Sequence, residues 1–302
     1  MRLQIVSVPY RYDARDEGLG QGPSALLAAG LVGRMRDSGI DVQEPVTANL
    51  DPGERTSGPV AVNIGRLGAR TADLVAQART SGDGVLVLAG DDTATVGIVS
   101  GLEQAHGAGA RIGVIWLDAH GDFNTPETSY SGILAGMPLA IIAGLAGPIW
   151  RGSANLAAPV PTDRIVIAGV RDLDEKEEQL LRSTNVTILR SGDVTGGSAY
   201  RDTIQQLRRN TDLLFLHVDL DVLDPSLVPS SSTPARHGLT IAQTASMLRS
   251  ALATGKVACF SLAGLNPGAG ERGRRSLKSA LELILESVPA WHDDQEDDDD
   301  QS

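Results

Sequence analysis

The feature that most constrains the fold of this chain is a series of short apolar runs separated by longer amphipathic segments. Five of these runs are apolar at nearly every position, and they span residues 84–89, 111–117, 164–170, 213–218 and 257–262. A strand with one face in water alternates polar and apolar residues, whereas a strand of a parallel sheet covered on both sides is apolar on both faces. Weaker strand patterns at 3–10, 41–44 and 186–189 bring the prediction to about eight strands.

The segments between these strands carry apolar residues at helical spacing. Helices are predicted at 24–39, 64–81, 95–106, 137–145, 175–183, 200–208, 241–253 and 277–288. Strands that alternate with helices in this way are typical of the α/β class. The sequence therefore predicts a three-layer αβα sandwich around a central, mainly parallel sheet of about eight strands, formed by residues 1–290 as one domain.

The negative charge of the chain is concentrated at its end. The 26 Lys and Arg residues and the 38 Asp and Glu residues give a formal net charge of −12. Seven of the acids lie between residues 293 and 300, so residues 291–302 are predicted to form an acidic, disordered tail. This charge, together with the low aromatic content, argues against a nucleic-acid partner.

Cysteine content and hydropathy indicate a cytoplasmic protein without a membrane partner. The single cysteine, Cys259, excludes an intramolecular disulfide and fits a reducing compartment. The first residues show no signal-peptide pattern. The uncharged stretch 128–150 contains four glycines and two prolines, which fits a buried core helix and not a membrane-spanning one.

Clusters of acidic residues follow four of the predicted strands at the points where the strands end. These clusters are Asp91-Asp92, Asp118-Ala119-His120-Gly121-Asp122, Asp172-Leu173-Asp174 and Asp219-Leu220-Asp221. Ligands of such folds bind beyond the carboxyl ends of the strands, and carboxylates with one imidazole suit a divalent ion such as Mn²⁺. Five clustered acids repel one another unless cations neutralise them, so two ions are more natural than one. The alternative is that these are ordinary polar turn residues.

These motifs resemble those of the ureohydrolase family, which comprises arginases, agmatinases and their relatives, and the resemblance is nearest to the arginase-type branch. The segments that carry it are GLGQGPSALLAAGL at 18–31, AGDD at 89–92 (GGDH in the family), DAHGDFNTPETSYSG at 118–132 (DAHxDxNTP), RDLDEKE at 171–177 (RDVDPGE), HVDLDVLDP at 217–225 (SxDxDxxDP) and GLNP at 264–267 (EVNP). The two aspartate motifs are specific, and the order and spacing of the other segments add weight.

The resemblance implies a bridged pair of Mn²⁺ ions in a three-layer α/β fold, and a homo-oligomer that is a trimer or hexamer. It places Asp92, Asp118, Asp122 and Asp219 around one ion, and Asp118, His120, Asp219 and Asp221 around the other. It further implies a hydroxide between the ions. Asp122 is then the catalytic residue, which hydrogen-bonds the hydroxide and passes its proton to the leaving amine.

The same resemblance implies contacts to an amino-acid substrate. Asn124 and Ser131 correspond to residues that hold the α-carboxylate, and Asp174 to a residue that serves the α-amino group. Each has a simpler interpretation, since Asn124 and Ser131 are common turn residues and Asp174 precedes a predicted helix as an N-cap would.

Four positions depart from the arginase pattern. Asp92 replaces a metal-binding histidine, His217 replaces the serine of SxDxDxxDP, Ala135 replaces a proton-shuttling histidine, and Gly264 replaces a glutamate that pairs with the guanidinium. His217 alternates with Asp219 and Asp221, so it either supplies the missing imidazole to a metal or is a strand histidine satisfied within the core.

The sequence therefore predicts a cytoplasmic, Mn²⁺-dependent hydrolase of a C–N bond in an amino acid with a guanidino, amidino or related group. An N-hydroxyguanidine such as N-hydroxyarginine suits a site without the glutamate, because this head group is less basic. One alternative is a non-catalytic relative that binds metal or ligand or has a structural role. A further alternative is a metal-dependent deacetylase that uses one ion.

Overall fold

A nine-stranded sheet, in which every pairing is parallel, forms the centre of the computed structural model, which describes residues 1–194 and 198–292. The strands are β1 Arg2–Val8, β2 Tyr10–Arg11, β3 Ala14–Arg15, β4 Asp41–Val42, β5 Val46–Thr47, β6 Gly84–Ala89, β7 Ile112–Leu117, β8 Ile165–Val170, β9 Thr187–Arg190, β10 Leu213–Asp219 and β11 Val257–Ala263. The order in the sheet is β4-β1-β6-β11-β10-β7-β8-β9, with β5 also paired to β1. Strands β2 and β3 form a separate antiparallel hairpin.

The helices connect these strands and lie on both faces of the sheet. They are α1 Gly22–Ala28, α2 Leu31–Asp37, α3 Val60–Thr80, α4 Thr95–His106, α5 Pro138–Ile142, α6 Pro148–Ser153, α7 Glu175–Arg182, α8 Ser191–Val194, α9 Ala199–Asn210, α10 Ile241–Leu252 and α11 Glu271–Ser287.

Alternate side chains of each central strand enter two different cores. In β6, Val85 and Val87 pack with apolar residues of α3 to α7, whereas Leu86 and Leu88 pack with those of α1, α2 and α9 to α11. Both faces of the strand are buried, which is why it is apolar throughout. The predicted three-layer arrangement around a parallel sheet is confirmed.

Three local predictions were wrong. The predicted helix 24–39 is two helices, because Gly30 adopts a left-handed conformation with φ +82° between α1 and α2. Helix α11 begins at Glu271 instead of 277. The helix predicted at 137–145 is the shorter α5, and a second short helix that was not predicted, α6, begins at Pro148.

Within the described residues, no helix is long and apolar enough to cross a membrane.

The structure describes two residues beyond the predicted domain end at 290. Trp291 is buried, its Nε1 donates a hydrogen bond to the Val257 carbonyl oxygen at 2.8 Å, and its ring meets Phe260 edge-on. The acidic run at 293–302 lies outside the described residues, so its disorder stays a prediction.

The register of the sheet brings the ends of its central strands to one level. Leu117 of β7 pairs with Val218 of β10, and Leu262 of β11 pairs with both Val218 and Leu88 of β6. The segments that follow these strands therefore meet at one edge of the sheet, where ligands of such folds bind.

Candidate active site

Five aspartates converge at this edge, and all are nearly inaccessible to solvent. Their exposed fractions lie between 1% and 8%, and they are Asp92, Asp118, Asp122, Asp219 and Asp221. Buried ionised carboxylates are costly unless they are paired, hydrogen-bonded or bound to a cation. The cluster therefore demands a source of positive charge.

Part of that charge comes from His120. Its Nδ1 lies 3.3 Å from Asp118 Oδ1 and 3.3 Å from Asp221 Oδ2. Burial lowers the pKa of His120, but the hydrogen bonds and charges of these two carboxylates outweigh it and raise the pKa to about 12. Ligand atoms of the three residues lie within 4.8 Å of one another, and this is the one such group in residues 1–194 and 198–292. It is a candidate metal-binding group of a type that suits a divalent ion.

The other three acids lack comparable partners. One carboxylate oxygen of Asp122, Oδ2, is buried and accepts no hydrogen bond from the described residues. Burial, followed by the charges of neighbouring carboxylates, raises the pKa values of Asp92, Asp122 and Asp219 well above the usual range. An orphaned buried oxygen among mutually repelling carboxylates fits a site for a divalent cation.

His217 lies behind Asp92 and is fully buried. Its Nε2 is 3.1 Å from Asp92 Oδ1, and its Nδ1 is 2.7 Å from Ser261 Oγ. Burial lowers its pKa to about 3, so the ring is neutral at physiological pH. Both ring nitrogens therefore have partners among protein side chains.

A cavity of about 330 Å³ opens beside the acids. Predicted site residues among those lining it are Asp92, His120, Asp122, Asn124, Ser131, Ala135, Asp174 and Asp219. Asp118 and Asp221 do not line this cavity but contact His120, which does.

Two of the predicted substrate-binding residues, Asn124 and Asp174, contact each other in this lining. Asn124 donates a 3.4 Å hydrogen bond from Nδ2 to Asp174 Oδ2 and accepts one from Thr128 at 2.8 Å. Asp174 occupies the N-cap position of α7, but its side chain makes no capping hydrogen bond, so the helix-cap interpretation does not describe it. Ser131 is exposed and accepts a hydrogen bond from the Ile133 N–H, as a turn residue would.

Two of the altered positions lie at or near the cavity, Ala135 in its lining and Gly264 beside Asp219. Ala135 lines the cavity with a methyl group. Gly264 follows β11 with φ +86°, and a Cβ atom added there would lie 2.4 Å from Asp219 Oδ1. The carboxylate of Asp219 thus fills the space that a side chain at position 264 needs.

Sequence reasoning assigned no role in the site to several residues that line the cavity, among them Arg11, Tyr12, Asp91 and Glu177. Glu177 lies three residues after Asp174, on the same face of α7, so helical spacing could have found it. Its Oε1 accepts a hydrogen bond from the Phe123 N–H at 2.8 Å, and burial raises its pKa to about 7. This bond holds the loop that carries Asp122.

Tyr12 and Asp91 form a contact that joins distant parts of the chain, and the Arg11 guanidinium lies 5.7 Å from the centroid of the Tyr12 ring. Tyr12, at the tip of the β2–β3 hairpin, has φ +58° and donates its N–H to Asp91 Oδ2 at 2.9 Å. Asp91 is buried and also accepts hydrogen bonds from the N–H and hydroxyl of Thr93. No local sequence pattern could have predicted this contact, because it joins residues 79 positions apart.

Comparison with known proteins places this geometry in a family. The family model described as "Arginase family" matches residues 1–288. The arginase of Bacillus caldovelox is 33% identical over 247 residues, which cover 79% of this chain and 82% of that protein. Human arginase-1 is 29% identical over 94% of this chain and 91% of its own length.

A solved structure shows the same likeness in three dimensions. The crystal structure of arginase from Bacillus subtilis superposes with a TM-score of 0.84 at 26% identity, and the match covers 95% of this chain and 98% of that one. The chain therefore belongs to the arginase family. It is a hydrolase of the class that acts on amidine C–N bonds.

Proposed function

We propose that this hydrolase is Mn²⁺-dependent and cleaves a C–N bond in the guanidino or amidino head of an amino acid, with N-hydroxyarginine as the leading candidate. The observation that carries the choice of substrate is Gly264. The end of β11 offers no carboxylate to a cationic head group, and Asp219 fills the space beside it. A substrate with a weakly basic head fits such a site better than arginine does.

The buried acids are the proposed metal ligands. Asp118, His120 and Asp221 would hold one ion together with Asp219, and Asp92 and Asp122 would hold the second with Asp118 and Asp219. The orphaned Oδ2 of Asp122 and the raised pKa values of the cluster support this assignment. When bound, two divalent ions lower the pKa of a shared water so that hydroxide exists near neutral pH.

Asp122 is the proposed proton carrier. Its Oδ2 accepts no hydrogen bond from the described residues, and the residue lines the cavity, so this oxygen is free to meet a water there. It can therefore accept the proton of the attacking water and deliver it to the departing nitrogen. The Glu177 hydrogen bond to the Phe123 N–H keeps the backbone beside Asp122 in place.

The amino-acid end of the substrate is assigned to the part of the cavity around Asn124 and Asp174. The Asp174 carboxylate, free of any capping role, suits an α-ammonium group. The Asn124 amide and the Ser131 hydroxyl can donate to an α-carboxylate. Among the described residues that line the cavity, Arg11 is the one arginine. Its positive charge would attract the α-carboxylate.

The missing glutamate and histidine argue against arginine as the main substrate. A buried guanidinium left without its carboxylate partner loses on the order of 3–5 kcal/mol. An N-hydroxyl group lowers the basicity of the guanidine, so this loss is smaller. Ala135 offers no group to relay a proton, which again favours a head group that is already near neutral.

Two further expectations belong to the same proposal. A cytoplasmic location rests on the single buried cysteine, and a homo-oligomer rests on the resemblance to the family. Light scattering of the purified chain measures the second, and a monomer would contradict it.

Metal content followed by a substrate comparison tests the proposal. We expect two Mn²⁺ per chain, and kcat/KM for N-hydroxyarginine at least about tenfold above that for arginine, which corresponds to about 1.4 kcal/mol. Asp122→Asn serves as the inactive control because it keeps an oxygen at the ligand position. One ion per chain would favour the deacetylase-like alternative, and no ion would favour a non-catalytic protein. Efficient arginine hydrolysis would contradict the argument from Gly264.

A further inference from the structure

Two aromatic rings on neighbouring strands contact each other on the sheet side of the acid cluster. Trp116 of β7 and His217 of β10 are register partners, and both are fully buried. Their ring centroids are 3.9 Å apart with the planes inclined by 41°. Ser261 of β11 is the register partner of His217 on its other side. The three side chains therefore form one row across the centre of the sheet.

Each ring of this row contacts a different aspartate of the cluster. Trp116 donates from Nε1 to Asp118 Oδ2 at 3.0 Å. His217 Nε2 lies 3.1 Å from Asp92 Oδ1. In residues 1–194 and 198–292, His217 is the one hydrogen-bond partner of the Asp92 carboxylate. Asp92 also lines the cavity, so one of its oxygens is held and the other is left for a ligand.

The partners of the imidazole fix which nitrogen carries the proton. A carboxylate that binds a metal ion is ionised and only accepts hydrogen bonds, so in the metal-bound protein Nε2, which faces Asp92 Oδ1 at 3.1 Å, carries the proton. Nδ1 is then an acceptor, and the Ser261 hydroxyl at 2.7 Å is its donor. Neither nitrogen has a lone pair free for a cation.

We infer that His217 is a positioning residue that acts through Asp92 and is not a metal ligand, and that Ser261 fixes its tautomer. The inference rests on the proposed metal site. An aspartate reaches less far than a histidine, so its orientation matters more at a position where the related pattern has an imidazole. His217 holds that orientation from behind, as residues that support metal ligands commonly do.

The row also accounts for the histidine in a strand that is otherwise apolar. A serine at position 217 could not span the width of β11 to reach Asp92, which follows β6. The imidazole spans it, and the tilted Trp116 ring packs against the imidazole. His217 and Asp92 thus form one functional pair.

Manganese titration of metal-free variants tests the inference. His217→Gln keeps an amide donor that can replace Nε2–H, whereas His217→Leu removes the donor and keeps the bulk. We expect the Gln variant to bind two ions at close to wild-type affinity. The Leu variant should keep one tight ion and bind the other about 10–100-fold more weakly. Equal losses in the two variants would show that His217 is a ligand and overturn the inference.

A second measurement does not depend on metal affinity. In the wild type saturated with a diamagnetic divalent ion such as Zn²⁺, which keeps Asp92 ionised, ¹⁵N NMR of the His217 ring should report the Nε2–H tautomer, and Ser261→Ala should weaken that preference. An Nδ1–H tautomer would overturn the inference even if the Gln variant failed to fold. Absence of Mn²⁺ binding by the wild type would overturn the proposed metal function, whereas two ions with indistinguishable Gln and Leu variants would overturn the role of His217 alone.

Discussion

Gly264 shows how a single residue can shape the acid cluster without contributing a side chain. Its φ of +86° disfavours any L side chain, and its missing Cβ leaves room for the Asp219 carboxylate. The sequence comparison suggests restoring a glutamate at this position to recover arginine hydrolysis. The structure argues against that simple exchange, because the new side chain would displace Asp219 before it could meet a substrate.

Alanine at position 264 should therefore weaken metal binding as well as stability. The left-handed backbone costs an alanine about 1–2 kcal/mol, and the collision with Asp219 adds to that. Gly39 is the matched control, since it has φ +84° and open space where a Cβ atom would lie. We expect Gly264→Ala to lower Mn²⁺ affinity by about tenfold or more, that is about 1.4 kcal/mol, and Gly39→Ala to leave it unchanged.

Calorimetric titration with Mn²⁺ and chemical unfolding of both variants measure the two effects. Similar Mn²⁺ affinities in the Gly264→Ala and Gly39→Ala proteins would mean that Asp219 adapts, and that Gly264 serves the backbone alone.

At the scale of elements, the sequence predicted the parts whose burial is uniform and missed the parts held by distant contacts. The run 84–89 coincides with β6 because both faces are apolar and polar residues bound it on each side. The β2–β3 hairpin has no such pattern. It is held over the cavity by the Tyr12 N–H bond to Asp91, a contact that only the folded chain creates.

The same distinction applies to the candidate site. The acids at the strand ends were predictable because parallel strands bring their carboxyl ends together. The orientation of the His217 ring was not predictable, because it depends on Ser261 and Asp92, which lie in two other segments of the chain. The consequence of Gly264 was also hidden, because it depends on where the Asp219 carboxylate lies.

Asp91 should control the order of the hairpin. Asparagine at this position can keep one oxygen for Thr93 but turns an NH₂ group toward the Tyr12 N–H, so two donors face each other. We expect Asp91→Asn to destabilise the protein by about 1–3 kcal/mol, and to speed amide hydrogen exchange at residues 10–15. Thr93→Val is the control, because it removes one hydroxyl bond to Asp91 and leaves the Tyr12 contact. If amide exchange at residues 10–15 were equally slow in both variants, the hydrogen bond between Tyr12 and Asp91 would not be what holds the hairpin.

For the whole molecule, the clustered acids make stability depend on pH and on metal. Burial and mutual repulsion raise the pKa values of Asp92, Asp122 and Asp219, and burial raises that of Glu177 to about 7. A group whose pKa is higher in the folded chain keeps its proton longer there. The stabilisation present at low pH is therefore lost as the pH rises through the folded pKa. His120 acts in the same direction above its usual pKa of 6.5, because its folded pKa is about 12.

The metal-free protein should accordingly lose stability as the pH rises above neutrality. His217 opposes this trend only below about pH 6.5, since its pKa is lowered in the folded chain to about 3. Between about pH 7 and pH 8.5, each proton held by the folded chain and not by the unfolded chain contributes about 1.4 kcal/mol per pH unit. We expect the free energy of unfolding to fall by at least about 2 kcal/mol over this interval. Saturating Mn²⁺ should remove most of this fall, because the ions take the place of the protons.

Chemical unfolding at the two pH values, with and without Mn²⁺, measures the effect. Asp122→Asn should reduce the pH slope of the metal-free protein by removing one of the raised carboxyls. Glu178→Gln should not, because that side chain is only partly buried and the hydrogen bond from Arg182 lowers its pKa. If the free energy of unfolding of the metal-free wild type did not change with pH, other groups of the protein would already neutralise the aspartates. The argument that the cluster needs a cation would then fail.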